Sequence, residues 1–251
     1  YFIFSIILFH IKCAYFFLLI IKVMKNIAIL LMGGVGERFS IKTPKQFYLI
    51  KNIPVFIYCL RTFVKIKSIC EIILVINPSH LKKVTAYLKR YKLFSKITLI
   101  NGSTSRAFSL LNGIKYVVDN YKDDVKIISH DVARAFVSKN IINEHIKVTL
   151  LPNEVISTVI PCADALLKIN GTNFSPVNRD DYLIMQTPQS FNARDLYSLI
   201  MNNINSYDKY QDLCSFAITN GYKNSNILGN KLNFKITTTQ DIALLYLLSK
   251  K

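Results

Sequence analysis

Apolar and polar positions follow two alternating patterns along this chain from residue 24 onward. Short, mostly apolar runs, of which residues 27–32 are the first, predict buried strands, since they are too short for a core helix. Segments with apolar residues every three or four positions predict helices between them. The alternation predicts an α/β fold, doubly wound around a mostly parallel sheet. The predicted strands are 27–32, 71–76, 96–100, 125–129 and 155–161, and the predicted helices are 55–64, 79–91, 106–119 and 139–148.

One stretch departs from this alternation. Asn170-Gly171 lies between two extended runs, 166–169 and a second strand near 182–185, and an Asn-Gly pair in that setting is a hairpin signal. We expect a protruding β-hairpin arm at about 163–180 that packs on a second subunit. No repeat or low-complexity linker divides residues 24–251, so we predict a single domain there.

Residues 1–23 are almost wholly apolar, and their length would permit a membrane span. They lack the basic leading region and small-residue cleavage site of a signal peptide. Met24 leads directly into the first predicted strand. We therefore favour translation from Met24, with residues 1–23 an extension outside the functional fold. A membrane anchor or targeting piece is the alternative, and a targeting piece would favour a plastid-type compartment over the cytoplasm.

The chain is strongly basic, with a formal net charge of +17 from 32 basic and 15 acidic residues. Many lysines stand beside Ile, Asn or Tyr, which indicates a compositional bias spread over the surface rather than a focused nucleic-acid stripe. We expect a multiply charged small anion as partner, with no specific nucleic acid and no membrane. The five cysteines show neither Cys-x-x-Cys spacing nor an even count, which is typical of reduced thiols in a cytoplasmic protein.

The first candidate chemistry follows the first predicted strand, at Gly33-Gly34-Val35-Gly36. Glycines there let the backbone close on an anion, because no Cβ blocks the approach. Arg38 and Lys45 add positive charge nearby. Phe39 occupies the third glycine position of a dinucleotide fingerprint, and the Gly-Lys-Ser/Thr of a Walker loop is missing. The pattern predicts a polyphosphate site, with an ordinary strand-to-helix turn as the alternative.

Further polar blocks follow in order, mostly near predicted strand ends. With the glycine turn they resemble the 2-C-methyl-D-erythritol 4-phosphate cytidylyltransferase family and its close relative, ribitol-5-phosphate cytidylyltransferase. The resemblance covers about residues 24–250. The blocks are 102–106 with Ser109, 129–134, 178–180, 186–191 and 233–238.

The resemblance implies a Rossmann-like nucleotidyltransferase fold and transfer of CMP from CTP to a sugar-alcohol phosphate, with release of pyrophosphate. It also implies Mg²⁺ or another divalent cation, a homodimer formed through the arm, and a role in isoprenoid precursor synthesis by the non-mevalonate pathway. The catalytic residues it implies are Arg38, Lys45 and Lys235. The nucleotide-binding residues would be Met32, Gly33, Gly34, Gly36, Gly102, Arg106, Ser109 and Asp131, and Asp131 would also bind the metal. Arg134, Arg179 and Thr187 would bind the polyol phosphate, with Arg179 reaching across the dimer.

The chemistry of this reaction favours such residues independently. The acceptor phosphate is already an anionic nucleophile, so no Ser-His-Asp arrangement is needed. The barrier lies in repulsion between two anions and in the charge that develops at the five-coordinate phosphorus. Fixed cations and a metal ion lower that barrier.

Two departures from the family pattern leave the acceptor open. Ala165 replaces a threonine at the base of the arm, and Ala135 replaces a proline after Arg134. Three alternatives stay open: a ribitol-5-phosphate enzyme, a nucleotidyltransferase that uses another nucleotide with a sugar 1-phosphate, and a non-catalytic basic protein that binds nucleic acid or membrane. Individual residues also have alternatives: Lys45 and Lys235 could be solvated surface lysines, and we expect His130 to be a structural, hydrogen-bonded histidine rather than a base.

Overall fold

A computed structural model describes residues 24–32 and 44–249 of the chain. The elements of this part are numbered in chain order. The strands are β1 (Lys25–Met32), β2 (Leu49–Ile50), β3 (Ile53–Pro54), β4 (Ile69–Ile76), β5 (Thr98–Asn101), β6 (Val125–Asp131), β7 (Glu154–Pro161), β8 (Leu166–Asn170), β9 (Asn173–Val177), β10 (Leu183–Asn192) and β11 (Lys223–Leu228). The helices are α1 (Val55–Val64), α2 (Leu81–Arg90), α3 (Arg106–Asn120), α4 (Lys139–Lys147), α5 (Ala193–Asn202), α6 (Ile204–Tyr207), α7 (Leu213–Thr219) and α8 (Thr239–Leu248).

The central sheet has the strand order β11-β7-β10-β6-β1-β4-β5 within the described residues. All neighbouring pairs are parallel except those of β10, which runs antiparallel to β6 and β7. This confirms the predicted doubly wound, mostly parallel α/β fold. Because β1 and β6 are parallel neighbours, the residues that follow them emerge at the same edge of the sheet.

Side chains of β1 alternate between two cores on opposite faces of the sheet. Leu30 packs with the core that holds α1 and α2, whereas Ile29 packs with the core beneath α3, α5 and α7. Gly113 lets α3 approach β1 closely, since a Cβ there would lie 3.0 Å from Cγ2 of Ile29. Both faces of the sheet are therefore covered, and functional groups are confined to its ends.

The predicted strands and helices are confirmed with small shifts of their ends. Short 3-10 turns, Pro78–His80 and Phe94–Lys96, occupy positions predicted to begin a helix and a strand.

The hairpin arm is present, but its predicted second strand was wrong. β8 pairs with β9 through a two-residue loop, Gly171-Thr172, in which Gly171 has a φ of 60°. The run near 182–185 instead begins β10 of the central sheet. Pro176 lies within β9, and proline weakens the strand signal of a sequence although an outer strand tolerates it.

Within the described residues, no helix combines the length and apolarity needed to cross a membrane. Residues 1–23 lie outside this part of the chain, so their predicted role stays a prediction.

Candidate active site

The carboxyl end of β6 carries an ion-paired cluster. Oδ1 of Asp131 accepts a hydrogen bond from Nε of Arg106 at 3.0 Å, and Oδ2 accepts one from Nζ of Lys235 at 2.7 Å. Asp131 is 6% exposed, while the two cationic side chains are 28% and 36% exposed. Three residues far apart in sequence therefore meet at one strand end.

The electrostatics of this cluster keep Asp131 ionised. Burial by itself opposes ionisation of the carboxyl, but the Arg106 guanidinium and the Lys235 ammonium together hold its pKa well below the usual range. The pKa of Arg106 is raised, since the attraction of Asp131 outweighs the effect of burial. At neutral pH the cluster is thus one anion between two cations.

A cavity opens beside the cluster, and Lys45 reaches it from a different part of the chain. Lys45 belongs to the 3-10 turn Lys45–Phe47, and its Nζ donates a hydrogen bond to the carbonyl of Ile236 at 2.8 Å. The structure thus brings the predicted catalytic residues Lys45 and Lys235 to one cavity with four of the predicted nucleotide-binding residues, Met32, Arg106, Ser109 and Asp131. The lining consists of Leu31, Met32, Lys45, Gln46, Arg106, Ser109, Asp131, Val132, Ala133 and Lys235.

The segment that carries Lys235 is fixed by hydrogen bonds on both sides. Nδ2 of Asn233 donates to the carbonyl of Thr187 at 2.8 Å, and the amide of Ile236 donates to the carbonyl of Ala133 at 3.0 Å. Beyond it, the carboxylate of Asp241 accepts two backbone amides at the start of α8. Lys235 therefore extends from a backbone that cannot shift freely.

Gly102 and Ser109, both predicted to bind the nucleotide, contact each other at the loop before α3, and of the two Ser109 lines the cavity. Oγ of Ser109 accepts the amide of Ser103 at 2.9 Å and donates to the carbonyl of Ser105 at 2.7 Å. A Cβ at Gly102 would lie 3.0 Å from that hydroxyl and 3.1 Å from the carbonyl oxygen of Ile76. The small residue and the buried hydroxyl together shape the loop that leads into Arg106.

Arg134, predicted to bind the polyol phosphate, lies three residues beyond Asp131 beneath the Lys235 segment. Its Nη1 donates to the carbonyl of Asn233 at 2.8 Å. Its Nε is buried without a hydrogen-bond partner among the described residues. Burial lowers the pKa of Arg134, against the attraction of Asp131.

Thr187, predicted to bind the polyol phosphate, lies next to Asp131 and His130 inside the fold. It is 4% exposed, and its Oγ1 is 2.9 Å from Nδ1 of His130 and accepts the amide of Asp131 at 3.2 Å. The hydroxyl is engaged inside the fold, and its contact with the polyol phosphate stays a prediction. His130 is fully buried, as a structural histidine would be, and burial lowers its pKa to about 4.

Arg179, also predicted to bind the polyol phosphate, lies outside the cavity of its own chain. It begins the 3-10 turn Arg179–Asp181 after the arm, and Nη1 donates to the carbonyl of Ala163 at 2.6 Å. Its side chain is half exposed and 3.9 Å from Asp180. Its reach across a dimer stays a prediction.

Gly33, Gly34, Gly36 and Arg38 lie outside the described residues. Met32 and Lys45, which stand on either side of that segment, both line the cavity. The roles predicted for Gly33, Gly34, Gly36 and Arg38 stay predictions.

A sequence model of 2-C-methyl-D-erythritol 4-phosphate cytidylyltransferase (IspD) matches residues 26–248. The chain belongs to this family. A relative of that name from Thermosipho melanesiensis is 34% identical over 221 residues, 88% of this chain and 96% of the relative. A ribitol-5-phosphate cytidylyltransferase from Lactiplantibacillus plantarum is 33% identical, covering 88% of this chain and 97% of the relative.

Solved structures of the IspD family share the fold. The 4-diphosphocytidyl-2C-methyl-D-erythritol synthase of Anaerococcus prevotii superposes with a TM-score of 0.76 at 25% identity, covering 92% of this chain and 98% of that structure. The family predicted from the ordered polar blocks is therefore confirmed. Its members are cytidylyltransferases, a kind of nucleotidyltransferase.

Among the described residues that line the cavity, the group suited to a divalent cation is the Asp131 carboxylate. Among the described residues, no group of three or more His, Cys, Asp or Glu side chains could hold a metal ion. Asp131 is the one carboxylate among the described cavity-lining residues. Mg²⁺ commonly binds one or two carboxylates together with substrate phosphates. Asp131 could bind Mg²⁺ in this way if Arg106 or Lys235 left its carboxylate to bind a substrate phosphate.

Two polar residues of this cytidylyltransferase site were not assigned roles from the sequence. Gln46 lines the cavity and is 3% exposed, and Asn233 is 1% exposed and holds the Lys235 segment. Gln46 directly follows Lys45, and Asn233 stands two residues before Lys235, both lysines being in the predicted catalytic set. Their closeness to these lysines in sequence could have indicated a role in the site. Their burial, however, depends on contacts with distant segments of the chain.

Proposed function

We propose that this chain transfers CMP from CTP to 2-C-methyl-D-erythritol 4-phosphate, giving 4-diphosphocytidyl-2-C-methyl-D-erythritol and pyrophosphate. The observation that supports this most directly is the cavity at the carboxyl edge of the sheet. There Arg106 and Lys235 meet on Asp131, with Lys45 beside them. A cavity lined by three cationic side chains, two of them paired with one buried carboxylate, suits a ligand that carries several negative charges.

The reaction needs charge compensation rather than a general base. An oxygen of the acceptor phosphate attacks the α-phosphorus of CTP, and the bond from that phosphorus to the bridging oxygen of the β-phosphate breaks. The attacking phosphate is already anionic, and the leaving pyrophosphate keeps the bonding electrons. Lys45 and Lys235 can neutralise the charge that develops at the α-phosphate, and one such group commonly contributes about 10²–10³ in rate.

The ion pairs of Asp131 suggest how the site accepts its ligand. Nζ of Lys235 donates to Oδ2 of Asp131 at 2.7 Å. The Lys235 side chain is about one third exposed, so it can turn from Asp131 toward a phosphate. The Asp131 oxygen it releases would then bind Mg²⁺ or another divalent cation that arrives with CTP. Such an ion supplies further neutralisation of the phosphate oxygens.

Ribitol 5-phosphate is the second candidate acceptor. The Lactiplantibacillus plantarum relative that is 33% identical carries that name. The family threonine at the base of the arm is Ala165 here, so a hydroxyl expected near the acceptor is missing. The acceptor is therefore the first property to test.

We also infer that two copies associate through the arm. The hairpin of β8 and β9 presents large apolar side chains to solvent, with Leu167 61%, Ile169 67% and Phe174 65% exposed. A second copy would cover them and could receive Arg179. Light scattering on wild type and Phe174→Ser would test the dimer, and a wild-type monomer would contradict it.

We propose a cytoplasmic location, which cell fractionation of the full chain would test.

Pyrophosphate release from the full chain tests the proposed reaction. CTP, UTP, GTP and ATP are each combined with methylerythritol phosphate, ribitol 5-phosphate or no acceptor, with Mg²⁺ or with a chelator. We expect release with CTP, methylerythritol phosphate and Mg²⁺, and near-background release elsewhere. Preference for ribitol 5-phosphate would replace the acceptor, and preference for another nucleotide would replace the donor. Salt-dependent binding of nucleic acid or vesicles without turnover would favour a non-catalytic basic protein.

A further inference from the structure

Two hydrogen bonds hold His130 inside the fold and fix which ring nitrogen carries the proton. Nε2 lies 3.1 Å from the carbonyl oxygen of Arg134. A carbonyl only accepts hydrogen bonds, so Nε2 of the neutral ring must carry the hydrogen and donate it. Nδ1 is then left as an acceptor.

Thr187 completes a chain of hydrogen bonds with one direction. Its Oγ1 lies 2.9 Å from Nδ1 of His130 and must donate to it. The same oxygen accepts the backbone amide of Asp131 at 3.2 Å. This series of hydrogen bonds runs from the Asp131 amide through Thr187 and His130 to the Arg134 carbonyl. Each bond in it therefore has a fixed donor and a fixed acceptor.

This chain of hydrogen bonds closes around the turn formed by residues 131–134. The amide of Arg134 donates to the carbonyl of Asp131 at 2.9 Å within that turn. Its first residue holds Arg106 and Lys235, and its last residue donates from Nη1 to the carbonyl of Asn233. One buried imidazole therefore reaches both ends of the turn on which the charged groups of the site are mounted.

We propose that His130 and Thr187 are positioning residues for CMP transfer, acting by fixing the turn 131–134 and with it Asp131 and Arg134. This inference rests on the proposed function. Neither side chain lines the cavity, so both would act through the residues that do. Loss of the pair would let the turn shift, and displacements of about 1 Å at a reacting centre can cost about 10²-fold in rate.

The molecule contains a matched pair elsewhere on β10. Oγ of Ser190 lies 2.7 Å from Nδ1 of His145, whose Nε2 lies 2.8 Å from Oγ1 of Thr158. Both histidines are fully buried, and both take a hydroxyl of β10 at Nδ1. The bonds of His145 go to β7 and β10 rather than to the turn 131–134, so this pair controls for the loss of a buried hydroxyl–imidazole bond.

Steady-state kinetics on three variants would test the proposal. Thr187→Val removes the hydroxyl at nearly constant volume, Thr187→Ser restores it, and Ser190→Ala breaks the matched pair. We expect Thr187→Val to lower kcat by about 10- to 100-fold with KM for CTP changed less than about threefold. We expect kcat of Thr187→Ser and Ser190→Ala to stay within about threefold of wild type, although Ser190→Ala lowers the unfolding midpoint about as much as Thr187→Val.

An unchanged kcat in Thr187→Val, or an equal loss of kcat in Ser190→Ala, would overturn the proposal. If Thr187→Val does not fold, His130→Asn and His130→Gln replace it, and both should lower kcat. Nitrogen NMR of the wild-type protein should show His130 protonated at Nε2, and protonation at Nδ1 would also overturn the proposal. A wild type that folds with this tautomer but releases no pyrophosphate would instead refute the proposed function.

Discussion

Strand β6 carries a charged residue near each end, and the two are held in opposite ways. Lys126, near its amino end, is 3% exposed, and its Nζ donates to the carbonyls of His145 and Ile146 at 3.1 Å and to that of Val148. Asp131, at its carboxyl end, is held by side chains of Arg106 and Lys235 that are about one third exposed.

The difference lies in what the partners can do. The partners of Lys126 are main-chain carbonyls at the carboxyl end of α4, where the helix dipole favours a cation. They cannot move without unwinding the helix, and Lys126 has no donor left for another ligand. The partners of Asp131 are long side chains from two separate segments, and they can turn toward a ligand. The Lys126 end of β6 therefore stabilises the fold, and we call it the fixed end. The Asp131 end can exchange its partners for a substrate, and we call it the exchangeable end.

Lys235→Ala should have the largest effect, because it removes a cation from the exchangeable end. We expect kcat/KM for CTP to fall by about 10²–10³, or about 3–4 kcal/mol of transition-state stabilisation. The unfolding midpoint should change little. Pyrophosphate release measures the first effect and thermal unfolding the second.

Lys231→Ala is the matched control, since Lys231 is exposed four residues earlier and does not line the cavity. It should keep wild-type turnover. Equal turnover in both variants would mean that the cations at Asp131 play no part in the reaction.

Lys126→Met tests the fixed end of β6. The substitution keeps the apolar stem but leaves three carbonyls at the end of α4 without their donor, so the free energy of unfolding should fall by about 2–3 kcal/mol. Turnover per folded molecule should stay near wild type. Urea unfolding followed by circular dichroism measures the loss.

Lys147→Met is its control, because Lys147 lies on the same helix end in an exposed pair with Glu144. Exposed pairs contribute under about 1 kcal/mol. A loss as large as that of Lys126→Met would show that burial of Lys126 is not what stabilises this end.

His145 makes the fixed end sensitive to acid. Burial, and next the nearby charge of Lys126, lower the pKa of His145 to about 3, whereas an unfolded histidine titrates near about 6.5. Between these values the unfolded chain binds more protons, so stability is complete above about pH 6.5 and falls as the pH drops toward about 3. From pH 7 to pH 5 the loss from this group should be roughly 2 kcal/mol.

Urea unfolding across pH 5–7.5 would measure this loss. The slope against pH should be smaller in His145→Gln, although that variant is less stable throughout. An unchanged slope in His145→Gln would assign the acid sensitivity to other groups, of which His130 is the first to test.

The two ends of β6 also differ in how far the sequence predicts them. The strand is predicted at 125–129, where Val125, Ile127 and Ile128 are apolar, and Asp131 stands in a polar block at its end that resembles a known family. Lys126 gives no such signal, because its burial depends on carbonyls of α4 that lie 19 to 22 residues further along the chain. The resemblance also assigned Thr187 to a substrate. Its position next to Asp131 depends on the pairing of β10 with β6, which periodicity does not reveal.

Asp241→Asn should have the smallest effect, and it asks whether the exchangeable end depends on the helix behind it. The Asp241 carboxylate accepts the amides and hydroxyls of Thr237 and Thr238 at 2.8–3.1 Å, closing a capping box at the start of α8. An amide accepts fewer of these bonds, so unfolding should become about 1 kcal/mol easier. Turnover should stay within a few-fold of wild type, because Ile236 is still bonded to Ala133.

Asp119→Asn is the control for Asp241→Asn, since its pair with Lys115 is exposed and should matter by less than about 0.5 kcal/mol. Pyrophosphate release and urea unfolding on both variants separate the two contributions. A fall in kcat as large as that of Lys235→Ala would show that α8, rather than Asp131, sets the direction of Lys235. The exchangeable end would then depend on a helix cap instead of on an ion pair.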